Sequence, residues 1–377
     1  MKSAMRDAAL PLLGRVTRRP RSGDADRILI LQPDHLGDIL LSQPAVRCIR
    51  ERFARAHITA AVGPWSEAAA RHFWPVDDVV TLNFPGFERD VGHRILDPYV
   101  AVYREANRLA PSHFGRAVVL RSDAWWAGWL ASMVAPDVVA SDDPRVRPFA
   151  TTIAHVSQRA HAVERAMSIA RSTSGPGIGA LPSTSTNPLR AEASAEDDTL
   201  AQRLLARVGI AGAYAVIHPG SGAPVKEWPV HRWRALAVAL AENGIAVVVT
   251  GSERERRLAG EIVDGSPNSA SVAGETPLGI LIGLLSRASI AIGPDCGPLH
   301  IAVATNTPSV HLFGPSDPGR YGPWGDAMRH RVVRAGMSCE RCGDLSRSRE
   351  PGCGCMLAIS VDTVMSIARN LINDAAA

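Results

Sequence analysis

Short, continuous apolar runs alternate along this chain with segments of helical period. Arg27-Ile-Leu-Ile-Leu31 is such a run, stopped by Pro33, as expected for a parallel strand covered on both faces. Runs at 58–62, 79–82 and 117–120 read as further strands, with helical patterns at about 66–72, 100–109 and 125–134. After the turn Asp34-His-Leu-Gly-Asp38, a helical pattern continues to about Phe53, with Pro44 in its first turn, where the missing N–H costs nothing. Residues 172–188 lose all periodicity and become rich in Ser, Thr, Gly and Pro, which marks a linker. A second alternation follows, with strands at 214–218, 245–250, 271–272, 290–292 and 309–313. Its helices fall at about 197–208, 229–243, 253–263, 278–287 and 299–304, and a last helix at about 361–371. Two successive βα alternations predict an α/β chain with two doubly wound, Rossmann-like domains facing a cleft. The expected organisation is a basic N-terminal extension (1–26), a first domain (27–171), a linker (172–190), a second domain (191–335), and a Cys-rich segment with the final helix (336–377).

Composition narrows the function classes. The 377 residues are 46% hydrophobic and 21% charged, which excludes a wholly disordered chain. No uncharged apolar run approaches the ~18 residues of a membrane span. A formal charge of +4 is mild for this length and does not predict nucleic-acid binding. Of the 41 basic residues only Lys2 and Lys226 are lysine, so Lys226 stands alone within a chain that otherwise uses arginine. A site that needs a compact, flexible ammonium would explain that choice; biased composition is the alternative. The basic N-terminal residues include Arg15, Arg18, Arg19 and Arg21, beside an apolar stretch too short for a signal peptide. A cytoplasmic protein is expected, and the basic tail suits an anionic membrane surface.

Ligands of open α/β sheets collect beyond the carboxyl ends of strands, and the candidate chemistry lies there. Asp38 stands at a helix start after the first strand, placed either to act as general base on a hydroxyl or to cap the helix. The segment His218-Pro-Gly-Ser-Gly-Ala-Pro-Val-Lys-Glu-Trp-Pro229 offers two glycines for close backbone approach to an anion, the Ser221 hydroxyl and the Lys226 charge; a purely structural turn is the alternative. Glu255 follows the most hydrophobic strand of the second half, suited to a sugar hydroxyl or to a solvated helix start. Residues 272–275 offer small side chains to a flat base. Gly293-Pro-Asp-Cys-Gly-Pro-Leu-His300 places the amides of Cys296 and Gly297 toward an anion, flanked by Asp295 and His300. Two anion-seeking loops in one half and a carboxylate in the other suggest a nucleotide-diphosphate ligand and an acceptor activated from the opposite side. No Asp-x-Asp stands at a strand end, which disfavours metal-dependent transfer. No Gly-x-Gly-x-x-Gly follows a strand, which disfavours a dehydrogenase.

Taken in order, these motifs resemble glycosyltransferase family 9, the ADP-heptose:lipopolysaccharide heptosyltransferases, from about Arg27 to Val364. The resemblance is carried by Asp34-x-x-Gly-Asp38 with Pro44, His218-Pro-Gly-Ser with Lys226-x-Trp228, Glu255, Asp295-Cys-Gly-Pro-Leu-His300 and Phe313-Gly-Pro-Ser-Asp-Pro318. It implies a GT-B architecture and metal-independent, inverting transfer of a heptose from an ADP-heptose-like donor, with no cofactor and no metal. Asp38 is then the catalytic base and Asp34 an acceptor-side residue. Ser221, Lys226, Glu255, Asp295, Cys296, Gly297 and His300 bind the donor. The implied acceptor is a lipid-linked or oligosaccharide glycan of the lipopolysaccharide core, reached by peripheral contact at the cytoplasmic face of the inner membrane. The other readings are a GT-B transferase of a different nucleotide sugar and a non-catalytic nucleotide-sugar-binding protein of envelope assembly. Two positions depart from the family pattern: Cys296 replaces a hydroxyl residue, and Gln32 stands where many relatives carry a basic one. Cys339, Cys342, Cys353 and Cys355 resemble a Cys-rich segment of many members, either a zinc site or redox-labile thiols. Trp125, Trp126 and Trp129, at helical spacing, are expected in the core, or else on a surface for a lipid acceptor.

Overall fold

The computed structural model describes residues 2–17, 20, 22–87, 97–173, 188–336 and 353–376. The chain divides into two compact units, Met1–Pro182 and Ser183–Ala377. The first holds six strands: β1 (Asp24–Gln32), β2 (His57–Val62), β3 (Asp78–Thr81), β4 (Phe114–Val119), β5 (Asp137–Ser141) and β6 (Thr152–Ala154). The second holds β7 (Tyr214–Ile217), β8 (Ala246–Val249), β9 (Ser269–Ser271), β10 (Ile290–Pro294), β11 (Ser309–Leu312) and β12 (His330–Val333). Sheet orders are β3-β2-β1-β4-β5-β6 and β12-β11-β10-β7-β8-β9. All neighbours pair in parallel. Each unit is thus a doubly wound sheet whose strand order reverses once, between β1 and β4 in the first and between β7 and β10 in the second.

The central strands β1 and β10 are covered by helices on both faces, which is why they read as unbroken apolar runs. Strands β5, β6 and β12 have no counterpart in the sequence reading. Two are edge strands of three or four residues, and β12 exposes Arg331 and Val332 between its buried ends, so neither a run nor an alternation shows. The helix expected to run to Phe53 is two helices, α2 (Leu36–Leu41) and α3 (Gln43–Arg52), divided at Ser42, whose hydroxyl donates to the Asp38 carbonyl at 2.7 Å. Pro44 opens α3. An unpredicted helix, Ala162–Ser172, begins with a capping box built on His161 and Glu164, a cap that Ser, Thr, Asp or Asn usually supplies.

The residues expected as a basic extension fold as α1 (Lys2–Val16), whose Leu10 is buried in the first core. That core also receives α4 (Asp97–Leu109) and α5 (Trp125–Val134). Trp126 and Trp129 of α5 are buried, as expected, while Trp125 is partly buried against the same cluster. The second core takes in α6 (Val230–Glu242) and α8 (Val361–Ala376), so the final helix covers the second sheet; between them in sequence, α7 (Gly297–Ala304) follows β10. The linker residues 174–187 and Cys339 and Cys342 lie outside the described residues. Cys353 is disulfide-bonded, and Cys355 is a buried thiol against Gly314.

Behind α7 lies a buried polar chain. The Ser309 hydroxyl stands 2.8 Å from His311 Nε2 and 2.8 Å from His330 Nδ1. Burial, helped by the Arg329 charge, holds His330 down to about 4, and burial also pushes His311 well down. An unfolded histidine titrates near 6.5, so below that pH the unfolded chain binds the extra proton first and stability falls between about pH 6.5 and 4. The loss expected from His330 is on the order of 2–3 kcal/mol. Urea unfolding across that range, followed by tryptophan fluorescence, checks it, and His330→Gln flattens the slope.

Candidate functional site

Each unit places a charge pair where its strand order reverses. In the first, Pro33 ends β1 and sends Asp34 onto the exit loop, while β4 leads directly to Arg121. Arg121 bonds the buried Asp34 carboxylate through one terminal nitrogen, and its Nε donates to Asp123 at 2.6 Å. The Gln32 amide donates to the other Asp34 oxygen at 3.0 Å. The Asp34 carbonyl accepts from Ser66 Oγ at 2.7 Å and Trp65 Nε1 at 3.1 Å. Burial pushes the Asp34 carboxyl up and prevails over the pull of Arg121. Burial opposes the charge of Arg121, yet Asp34, Asp123 and the more distant Asp38 hold it firmly protonated. Gln32 Oε1 is a buried acceptor with no hydrogen-bond partner among the described residues; such a group costs about 1–3 kcal/mol until a donor arrives.

Asp38 is half-buried in the first turn of α2. Its capping alternative falls away, because the residue that precedes the helix as its cap is His35. A carboxylate in a first turn is favoured by the helix dipole, and Asp38 also lies within electrostatic reach of Arg121. Gln32, the departure from the family pattern, is buried and braces Asp34.

In the second unit, the loops after β7 and β10 meet. Lys226, at the end of a short 3-10 turn (Pro224–Lys226), reaches Asp295 Oδ2 with its Nζ at 2.7 Å. Cys296 precedes α7 as its cap residue, Gly297 opens the helix and Pro298 sits in its first turn, leaving the first-turn amides to face an anion. His300 is buried one turn further on, its ring 6.4 Å from His311. Burial pushes the Cys296 thiol well up, so it stands neutral beside Asp295 and Lys226.

Glu255 approaches from the loop after β8. Its Oε2 accepts from the Ser252 amide at 2.6 Å. A Cβ on Gly220 would fall 1.7 Å from Glu255 Oε1, so a larger residue there would displace that carboxylate. His218 contacts Thr250 Oγ1 at 3.1 Å, and burial lowers its pKa against the pull of Glu255. Glu227 is raised by burial and by the Glu255 charge. Lys226, Glu255, Asp295, Cys296, Gly297 and His300 therefore gather at one sheet edge. Ser221 sits on the same loop, but its hydroxyl donates to the Ala223 carbonyl at 2.6 Å and must change partner to serve a phosphate. Trp228 is core: its indole donates to the Ile359 carbonyl at 3.0 Å.

The sequence reading missed Arg121, and it gave no role of their own to His218 and Glu227, which it quoted within the loop motif. Arg121 follows an expected strand directly, so the strand-end rule that found Asp34 could have found it.

Comparison with known proteins gives a consistent result. A family model described as glycosyltransferase family 9 (heptosyltransferase) matches residues 103–349. Lipopolysaccharide heptosyltransferase 2 of Escherichia coli K12 is 24% identical over 328 residues, 82% of this chain and 88% of that one. Lipopolysaccharide heptosyltransferase 3 of Escherichia coli is 34% identical over 131 residues, and lipopolysaccharide heptosyltransferase 1 of Pseudomonas aeruginosa 33% over 138. Those two matches span 38% and 39% of the relatives' own lengths. The solved Escherichia coli ADP-heptose LPS heptosyltransferase II superposes with a TM-score of 0.72 at 20% identity, covering 93% of this chain and 100% of that one. A family 9 glycosyl transferase from Veillonella parvula gives 0.73 at 20% identity, covering 92% and 97%. These likenesses place the two sheets in the GT-B fold class. With a family model that matches about two thirds of its length, the chain belongs to glycosyltransferase family 9.

Proposed function

We propose that this protein transfers a heptose from an ADP-heptose donor to a lipopolysaccharide-core acceptor, with inversion and without a metal. The reading is supported by the curated relatives named heptosyltransferases and by solved neighbours, one described as bound to ADP and another to ADP-2-deoxy-2-fluoro heptose. The observation that carries it is the Lys226–Asp295 pair at the strand reversal of the second sheet, with His300 and the first turn of α7 beside it. A diphosphate needs a positive point charge, backbone amides and a nearby hydrogen-bonding ring, and this edge supplies all three.

In the proposed reaction Asp38 accepts the proton of the acceptor hydroxyl as its oxygen bonds to the anomeric carbon. The bond from that carbon to the diphosphate oxygen breaks, and its electron pair leaves with ADP. Lys226, His300 and the amides near Gly297 stabilise the charge on the leaving group, the role a divalent ion plays in metal-dependent transferases. Glu255 and Asp295 hold donor hydroxyls. Cys296 contributes its backbone N–H, because its neutral thiol is a weak donor. On the acceptor side Asp34 acts by fixing Arg121, and the buried Gln32 Oε1 accepts from an acceptor hydroxyl. No helix among the described residues is long and apolar enough to cross a membrane; a lipid-linked acceptor is met by peripheral contact at the cytoplasmic face of the inner membrane.

Titration calorimetry with ADP, GDP and UDP, followed by a transfer assay with ADP-heptose and core-oligosaccharide acceptors, tests the reading. ADP binding ahead of the other two and a heptose mass increment on the acceptor are expected. ADP binding with neither transfer nor donor hydrolysis would establish a non-catalytic binding protein instead, and tighter GDP or UDP binding a different donor.

A further inference from the structure

Gln32, the last residue of β1, stands where the strand order of the first sheet reverses, beside Asp34 and Arg121. Its Nε2 donates to Asp34 Oδ2 at 3.0 Å. Turned over, the amide would set its carbonyl oxygen against that carboxylate, so the partner fixes which end is which. Asp34 is itself anchored: Arg121 holds its other carboxylate oxygen, and Ser66 and Trp65 donate to its carbonyl. The Gln32 side chain is therefore tied both to the sheet and to its Nε2 partner. Its Oε1 has no hydrogen-bond partner among the described residues, although Gln32 is only 5% exposed. The next residue, Pro33, has no N–H to offer.

The charges around this buried acceptor are the second observation. Arg121 faces two carboxylates, Asp34 and Asp123, and Asp38 is also within its electrostatic reach. Arg145 is likewise taken up by Asp143 at 2.8 Å and by Asp123 at 3.4 Å. Arg165 adds the weakest of the pulls on Asp34. Every guanidinium of this set already faces a carboxylate. Among the described residues, then, the strand reversal of the first unit holds no surplus of positive charge with which to receive an anion.

We infer that Gln32 sets the class of acceptor: the sugar unit that meets the end of β1 is uncharged and must present a hydroxyl to Oε1. The inference deepens the proposed function and rests on its reading of the first unit as the acceptor side. An amide carbonyl oxygen only accepts, so a hydroxyl matches it. The carboxylate of an acidic sugar in the same place would set its oxygens against the lone pairs of Oε1, with the Asp34 carboxylate on the far side of the amide. A deoxy carbon there would leave Oε1 buried and unpaired, at the full penalty of a stranded polar group. Selectivity thus comes from what the wrong sugar leaves unsatisfied more than from the strength of the right bond. Because Oε1 is enclosed, the hydroxyl enters by displacing a covering side chain, and the hydrogen bond gained at Oε1 offsets that displacement. Gln32 is a specificity-determining residue in this scheme; the proton still goes to Asp38.

Saturation-transfer NMR on the full chain in the presence of ADP tests it without turnover. The probes are the methyl glycosides of a neutral heptose, of its monodeoxy analogues and of a ulosonic acid. The heptoside is expected to bind about 10–100-fold more tightly than the ulosonic acid and than one of the deoxy analogues, the equivalent of ~1.4–2.8 kcal/mol. Gln32→Met keeps the length of the side chain and removes both ends of the amide. It should bring the heptoside and that deoxy analogue to within about threefold of each other, with ADP affinity at the parental value. A merely structural role for Gln32 predicts a lower melting temperature with the preference intact. Should Gln32→Met fail to fold, the parent's ranking of the sugars still decides. Binding by none of the sugars, equal binding across the deoxy series, tighter binding of the ulosonic acid, or a preference that survives Gln32→Met would each overturn the inference. The expected ranking without heptose transfer refutes the proposed reaction alone; transfer to the ulosonic acid as readily as to the heptoside refutes the role of Gln32 alone.

Discussion

Asp38→Asn is expected to lower turnover by roughly 10²–10⁴-fold while leaving the affinity for ADP unchanged. Asparagine keeps the size of the side chain and its place in the first turn of α2 but cannot take a proton. Loss of the favourable interaction with the helix dipole costs at most about 1 kcal/mol, so the fold is retained and any fall in rate reports chemistry. The half-buried carboxylate stands in the first turn of α2 with Arg121 within electrostatic reach. Steady-state transfer with ADP-heptose gives kcat, and calorimetry with ADP gives the donor affinity. A variant that turns over at the parental rate removes Asp38 from the role of base. One that loses ADP affinity in parallel moves it from the acceptor side to the donor side.

How much of this was legible in the sequence depends on the range of the interaction involved. Strands covered on both faces announce themselves: β1, β8 and β10 are apolar runs, and the residues just beyond them could be picked out before any strand was paired with another. Edge strands do not. The unread β12 carries His330, so the contact of His330 with Ser309 across β11 and β12 had no sequence signal. The same limit applies to the charge pairs. Asp34 and Arg121 are separated by 87 residues, and Lys226 and Asp295 by 69. Each end stands at a strand exit visible in the sequence, but the contact depends on β1 lying beside β4 and β7 beside β10. Strand order is set by how the helices cover both faces of the sheet, and no local pattern encodes it. The helix within residues 1–26 gave no sequence signal for a related reason. Helix α1 contains Pro11 and its sequence lacks a broad apolar face, yet Leu10, Leu13 and the contact of Gly14 with Pro148 tie it to the core.

Lys226→Met tests the other half of the site. The expected result is a 10²–10³-fold loss in turnover, equivalent to roughly 3–4 kcal/mol of transition-state stabilisation, with weaker ADP binding. Methionine retains the stem and removes the charge. It also strands Asp295, which is 9% exposed at its side chain and has Lys226 within 2.7 Å, so a loss of fold stability would follow from the unpaired acid whatever Lys226 does for the donor. A double variant separates the two effects. Lys226→Met with Asp295→Asn replaces the stranded carboxylate by a neutral amide and should recover much of the thermal stability, because neither side of the pair is then charged. ADP binding should stay weak, since the diphosphate still lacks its ammonium. Lys226→Arg should restore stability through a retained ion pair but recover turnover incompletely, because a planar guanidinium held by Asp295 cannot place one compact charge between two phosphates. Recovery of ADP affinity in the double variant would mean that the lone core lysine serves only to neutralise Asp295, and the diphosphate would then have to be held by α7 and His300 alone.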